Sequence, residues 1–197
     1  MLTQATRGII KSTMPRASIH FNKEDHVYRV GDTDLPGITR RIGLRLGKVF
    51  PACLAEVPRV SEAAEFGSSI HESVERFVKT GELPEHPVSR WILKQWSELF
   101  PSHEYLWASE MLVSDYQTGA TAIDLAALKG SDAHIADIKT GNFDREYCSW
   151  QLGIGKYLLE KDGDLIVTSC FVISSKDKFV YEITPKSRKR VEDLLYG

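Results

Sequence analysis

TAIDLAALKGSDAHIADIKTG, residues 121–141, reads as two strands around a tight turn. Small and β-branched apolar residues dominate Thr121–Leu128 and Ala133–Ile138, and Gly130 breaks the run between them. Each strand carries one acid, Asp124 and Asp137, where an apolar residue would be ordinary. Adjacent antiparallel strands can hold two such carboxylates a few ångströms apart on one face. Facing carboxylates are costly unless a positive charge lies between them. A hard divalent cation resolves that cost, and carboxylate oxygens suit Mg²⁺ or Mn²⁺. Lys139 follows Asp137 by two, so an extended strand projects both from one face. Its ammonium would then stand beside the ion, able to position or deprotonate a water or to neutralise a phosphate.

Upstream, Tyr105–Val113 reads as a third strand, separated from Thr121 by a turn containing Gly119. Before it, Val88–Phe100 lies between two prolines and predicts a helix. Phe66, Ile70, Val74 and Phe77 recur at helical spacing, with Ser61 as the expected cap and Gly81 as the stop. Ser18–Phe21 and Val27–Val30 predict a hairpin across Asn22–Asp25, and Gly31-Asp32 and Pro36-Gly37 punctuate the stretch after it. Residues 38–48 predict a basic helix bearing Arg40, Arg41, Arg45 and Lys48. Downstream, the pattern predicts a helix over Arg145–Lys161, strands at Leu165–Ile173 and Phe179–Ile183, and a closing helix over Pro185–Leu195. The order implies an α/β fold with a mixed central sheet flanked by helices. The expected organisation is a basic extension with a small hairpin over 1–60, packed on a core domain over 61–197.

Composition narrows the class. With 42% hydrophobic and 26% charged residues, the chain is an ordinary globular one, and no apolar run approaches a membrane span. Cys53, Cys148 and Cys170 are odd in number and widely spaced, which predicts free thiols in a reducing compartment. The net charge of −2 does not announce nucleic-acid binding, but the distribution is uneven. Residues 1–60 carry ten Lys/Arg against five Asp/Glu, a net of +5, and the rest of the chain nets −7. A second basic run, Lys186–Arg190, reads as a solvated helix face. The first 23 residues contain no acid, a trait shared with mitochondrial transit peptides. A flexible basic arm or an ordinary N-terminal segment, and a cytoplasmic setting, are the expectation.

Asp124 followed by Asp137-Ile138-Lys139-Thr140-Gly141 resembles the signature of the PD-(D/E)XK nucleases in their RecB-like exonuclease form. Other elements of that pattern stand in the matching order. They are Gly67-Ser68-Ser69-Ile70-His71, then Glu110 in Ser109-Glu110-Met111, and Gln151 in Trp150-Gln151-Leu152. Leu35-Pro36-Gly37-Ile38-Thr39 is similar to a segment before the first helix of phage and mitochondrial members. The resemblance spans roughly residues 26–175 and implies a restriction-endonuclease-like αβββαβ core. Two positions depart from it. Thr121 stands where a glycine precedes the strand aspartate, and Gly155 stands where the helix carries a tyrosine. Tyr147, four residues before Gln151, shares its face and is the candidate substitute.

The resemblance implies a deoxyribonuclease that uses one or two Mg²⁺ or Mn²⁺ ions. His71, Asp124, Asp137 and the Ile138 carbonyl would be the ligands, with Lys139 as the catalytic lysine. Glu110 would be a ligand or water-orienting base, and Gln151 would position Lys139 or a phosphate. Glu75, one turn after His71, is the expected structural partner of that histidine or of a nearby arginine. Arg40, Arg41, Arg45, Tyr147 and Thr140 are the candidate substrate contacts. Three scattered cysteines do not reproduce the four-cysteine iron–sulfur set of some relatives, so no cluster is expected. The implied partner is DNA, at single- or double-stranded ends, with a recombination or single-strand-binding protein as a further one and no membrane. A bacterial or phage-infected cytosol is the implied location. Exonuclease is favoured by likeness to end-processing members. The alternatives are an endonuclease, a non-cutting DNA-binding module of the same fold, and an acid/base enzyme on small phosphates.

Overall fold

The computed structural model describes residues 18–22, 27–48 and 58–197. The expected basic arm at 1–17, the turn at 23–26 and Cys53 lie outside the described residues. The chain is a mixed α/β protein. Its elements run β1 (Ile19–Asn22), β2 (Val27–Val30), β3 (Thr33–Leu35), α1 (Ile38–Leu46), α2 (Pro58–Thr80), α3 (Pro87–Leu99), β4 (Leu106–Ser114), β5 (Ala120–Lys129) and β6 (Asp132–Lys139). Then come α4 (Arg145–Asp162), β7 (Ile166–Ser174), β8 (Phe179–Glu182) and α5 (Arg188–Tyr196).

The main sheet has the order β4-β5-β6-β7-β8. β4, β5 and β6 form an antiparallel meander, because their connections are too short for a crossover. α4 is long enough to carry the chain back, so β7 pairs parallel with β6 and β8 then pairs antiparallel with β7. Helices cover both faces. Ile38 and Ile42 of α1, Cys148, Ile154 and Leu158 of α4, and Val191 and Leu195 of α5 pack on one face with Ala126, Leu128, Ala133 and Ile135. Ile70 and Val74 of α2 and Ile92, Leu93 and Trp96 of α3 pack on the other with Leu125, Ala127, Ala136 and Ile138. α1 thus contributes directly to the main core. β1, β2 and β3 form a separate antiparallel sheet, joined to the main one by a bridge between Gly37 and Ala120. No helix among the described residues is long and apolar enough to cross a membrane.

Two local expectations are corrected. α2 begins at Pro58 and not at Ser61, which lies inside the helix and donates to Glu65 at 3.0 Å. Proline suits the first turn, where no intrahelical N–H is needed, and is the stronger start signal. Gly31-Asp32 turns the chain into β3, a strand too short to show a period. Gly81, in the left-handed region at φ 78°, ends α2 with its amide donating to the Phe77 carbonyl.

Candidate metal centre

The candidate site lies where the sheet comes apart. The β5–β6 ladder is registered from Lys129↔Asp132 to Leu125↔Ala136 and stops there. The next positions would set Asp124 opposite Asp137. On the other side, Ser109↔Leu125 and Met111↔Ile123 are paired, but Glu110 and Asp124 between them are not. Three acids on three neighbouring strands therefore occupy one row, and the ladder is interrupted at each.

Glu110 explains part of the break. Its backbone is in the left-handed region, at φ 47°. A non-glycine residue pays about 1–3 kcal/mol for such a conformation, which persists only where its surroundings hold it. The strand changes face there. Ala108 and then Met111 both pack on the α4 face, as do Ala126 and Ile123 of β5, where strict alternation would send one of each pair to the other side. The slip turns Glu110 and Asp124 out of the regular ladder.

Side chains fill the opening. Asp124 lies in the fork between the strands, where its Oδ2 accepts the Ile138 amide at 2.7 Å in place of a ladder bond. His71 reaches in from α2, with Nδ1 3.3 Å from Glu110 Oε1 and 3.7 Å from Asp124 Oδ2. Its Nε2 is 3.3 Å from the Ile138 carbonyl. One ligand atom each from His71, Glu110 and Asp124 lies within 4.8 Å of the other two, a spacing that suits a shared cation. Asp137 is not part of that group. It sits on the α4 face, 3% exposed, with the Lys139 ammonium 2.9 Å from both its oxygens. The expectation that Asp124 and Asp137 share a face gives way to this arrangement, in which the fork lets groups from both faces approach one another. Glu75 is bonded to Lys79, and Glu110 takes the place beside His71 expected for it.

Both helices are shaped to approach. Gly67, one turn before His71, faces Thr140, and a Cβ there would meet the Thr140 hydroxyl at 3.3 Å. That closeness brings α2 against the end of β6. On α4, the Asp144 carboxylate caps the helix by accepting the Glu146 and Tyr147 amides. Gln151 Oε1 then accepts from Lys139 at 3.4 Å. Gly155 lies against Ile123 and Ile135, which occupy the space a tyrosine would need. Tyr147 is half-buried, close enough to Lys139 and Asp137 for their charges to act on its phenol.

Charge in the fork is finely opposed. Burial pushes the Asp124 and Asp137 carboxyls upward, against the pull of His71 on the first and Lys139 on the second. Burial would lower His71, but Asp124 and Glu110 outweigh it and hold the imidazole up at about 9. Lys139 is likewise raised despite its burial, by Asp137 and Asp124. His71, Glu110 and Asp124 around one opening are a donor set that a divalent cation would fit.

Two residues of the site lie outside the sequence expectations. The Cys148 thiol, pushed up to about 12 by burial and by Asp137, stays protonated and lies 3.7 Å from Asp137 Oδ2. It stands three residues before Gln151, so helical spacing alone would have placed it on the same face. Tyr28 of the small sheet brings a buried phenol close enough to Glu110 and Asp124 that burial and their charges push it up to about 12. No local pattern signals that. Arg40, Arg41 and Arg45 do not join the cluster. Arg40 is exposed, Arg41 donates to the Leu195 carbonyl at 2.8 Å, and Arg45 lines a cleft with Trp150 and Arg190. Cys170 is buried in the core on β7.

A comparison with protein-family models finds no match, and a comparison with curated proteins likewise finds none.

Proposed function

We propose that this protein is a divalent-metal-dependent deoxyribonuclease. The observation that carries the reading is the convergence of His71, Glu110 and Asp124 beside the Lys139–Asp137 pair at one break in the sheet. The resemblance of Asp124, Asp137-Ile138-Lys139 and Gly67-x-x-x-His71 to RecB-like nucleases supports it from the sequence, and end-directed cleavage rests on that resemblance.

His71, Glu110 and Asp124 would hold the ion, with the Ile138 carbonyl as a further oxygen donor. When bound, Mg²⁺ or Mn²⁺ supplies Lewis-acid polarisation of a phosphoryl oxygen. Lys139, fixed between Asp137 and Gln151, presents an ammonium to the charge that develops on the phosphate. Glu110 would hold the ion or orient the attacking water and accept its proton. Thr140 and Tyr147 would be the substrate contacts beside Lys139. An imidazole ligand favours Mn²⁺ alongside Mg²⁺.

The test is end-labelled single- and double-stranded DNA incubated with Mg²⁺, Mn²⁺ or EDTA, and products resolved by length. Metal-dependent shortening is expected. Intact DNA under every metal condition, from folded protein, defeats the proposal.

A further inference from the structure

The rows that begin at Asp137 and Lys139 continue to the edge of the sheet. Asp137 registers with Val172, and Val172 with Tyr181. Lys139 registers with Ser174, and Ser174 with Phe179. Registered neighbours share a face, so Tyr181 and Phe179 stand on the α4 face with Asp137 and Lys139. Two strand spacings, about 10 Å, separate the ends of each row. The β7–β8 turn is fastened to the site as well, since the Ser175 amide donates to the Lys139 carbonyl at 2.9 Å.

This edge is unusually aromatic for a surface. Phe179 is 55% exposed although its ring lies 4.8 Å from that of Tyr181, which in turn lies 5.3 Å from Phe143. Cations are interleaved with the rings. The Arg145 guanidinium lies 5.2 Å from the Tyr181 ring and Lys176 is bonded to Asn142 just past Lys139, whereas Lys178 turns to the opposite face, 4.9 Å from Trp91. Asp177, the acid within the turn, is committed to the Ser174 and Tyr181 hydroxyls. Lys178 holds a left-handed backbone, φ 52°, which fixes the turn that presents Phe179.

We propose that this edge is the track by which an unpaired polynucleotide strand reaches the candidate active site. The proposal rests on the nuclease reading and adds to it a preference for single strands. Bases would stack on Phe179 and Tyr181, a contact that tolerates any sequence because every base has a π-face. Lys176 and Arg145 supply the complementary charge for the backbone phosphates. A duplex keeps its bases paired inside and cannot use the exposed rings.

Anisotropy of a labelled oligo(dT) in EDTA, with the full chain, measures this without cleavage. A duplex of equal length is the comparison. Wild type is expected to bind the single strand more tightly. Phe179→Ala should weaken single-strand binding about tenfold, the lower range of one lost stacking contact, and leave duplex binding nearly unchanged. Phe179→Trp should restore it, and Arg145→Glu should reduce its salt dependence. Equal wild-type affinity for the two forms overturns the proposal, as does single-strand binding that Phe179→Ala leaves intact. Sedimentation in which Phe179→Ala only splits a dimer would assign the edge to a second copy instead. Labelled-DNA cleavage separates the two levels. Cutting by wild type with binding indifferent to Phe179 removes the track alone, whereas neither cutting nor binding removes both.

Discussion

The two halves of β5 and β6 differ in what replaces water around their backbones. From Leu125 to Lys129, β5 is paired residue by residue with β6, and the side chains are mostly Ala126, Ala127, Ala133 and Ile135, small and buried. From Asp124 onward the same strands part, and carboxylates occupy the row instead. In the closed half the backbone satisfies itself and the side chains only pack. In the open half the Asp124 side chain takes the Ile138 amide, and helices from both faces lean into the gap. A sheet that stays paired has no interior for chemistry. This one obtains an interior by ending the β5–β6 ladder at Leu125↔Ala136 and skipping the Glu110–Asp124 pair.

Breaking the open half should abolish turnover without unfolding the chain. Lys139→Ala is expected to cut the cleavage rate by about 10²–10⁴-fold, the range for losing a positioned acid or a charge-stabilising donor. Far-UV circular dichroism should be unchanged. Wild-type turnover in the purified variant would contradict the assignment.

Breaking the closed half should do the reverse. Ile135 is fully buried in the α4-face core, so Ile135→Ala should destabilise by about 2–5 kcal/mol in urea unfolding. The folded fraction should keep its Mn²⁺ affinity. A loss of metal binding as large as the loss of stability would erase the distinction between the halves.

Asp115, at the β4–β5 turn, sharpens the contrast between acids. Against its burial, the Thr118 hydroxyl and amide, the Tyr196 hydroxyl and the Gln117 amide hold its carboxyl down at about 2, below the ordinary 3.8. A depressed carboxyl stabilises the fold above the unfolded value and loses that contribution as pH falls from about 4 to 2. The contribution is about 2 kcal/mol. Asp115→Asn should remove that part of the acid dependence, and an unaltered acid unfolding curve would show the turn contributes nothing. Burial pushes the Asp124 and Asp137 carboxyls the other way, against the pull of His71 and Lys139.

The smallest effect is expected at Gly67→Ala. The new Cβ would press on Thr140 at 3.3 Å, while alanine favours the helix by about 1 kcal/mol over glycine. Stability should stay within about 1 kcal/mol of wild type, and cleavage should fall several-fold as α2 and His71 shift outward. Unchanged turnover would show that the close approach is not needed.

The closed half of the sheet is legible in the sequence because Gly119 and Gly130 divide three apolar runs into a meander, and alternation then assigns the faces. α4 is legible from its length, although the sequence pattern does not single out its cap, Asp144. The Asp137–Lys139 pair is legible too, since a spacing of two fixes a shared face. The open half resists such reading. Nothing in Ser109-Glu110-Met111 encodes a positive φ, and period-two alternation presumes the continuity that Glu110 breaks. Hence alternation assigns Asp124 to the face of Asp137, whereas it lies in the fork with His71 and Glu110. Tyr28 arrives from a separate sheet far upstream, through tertiary packing that no local pattern carries. The basic helix is present, but Arg41 serves the fold by tying α1 to the end of α5, a contact between residues distant in the chain.

Titration calorimetry with Mn²⁺ tests the centre of this account. Wild type and Lys139→Ala should bind the ion, while Asp124→Asn and His71→Ala should lose most of the heat of binding. Equal affinity in all four proteins would mean that the parted strands hold no cation, and the nuclease reading would fall with it.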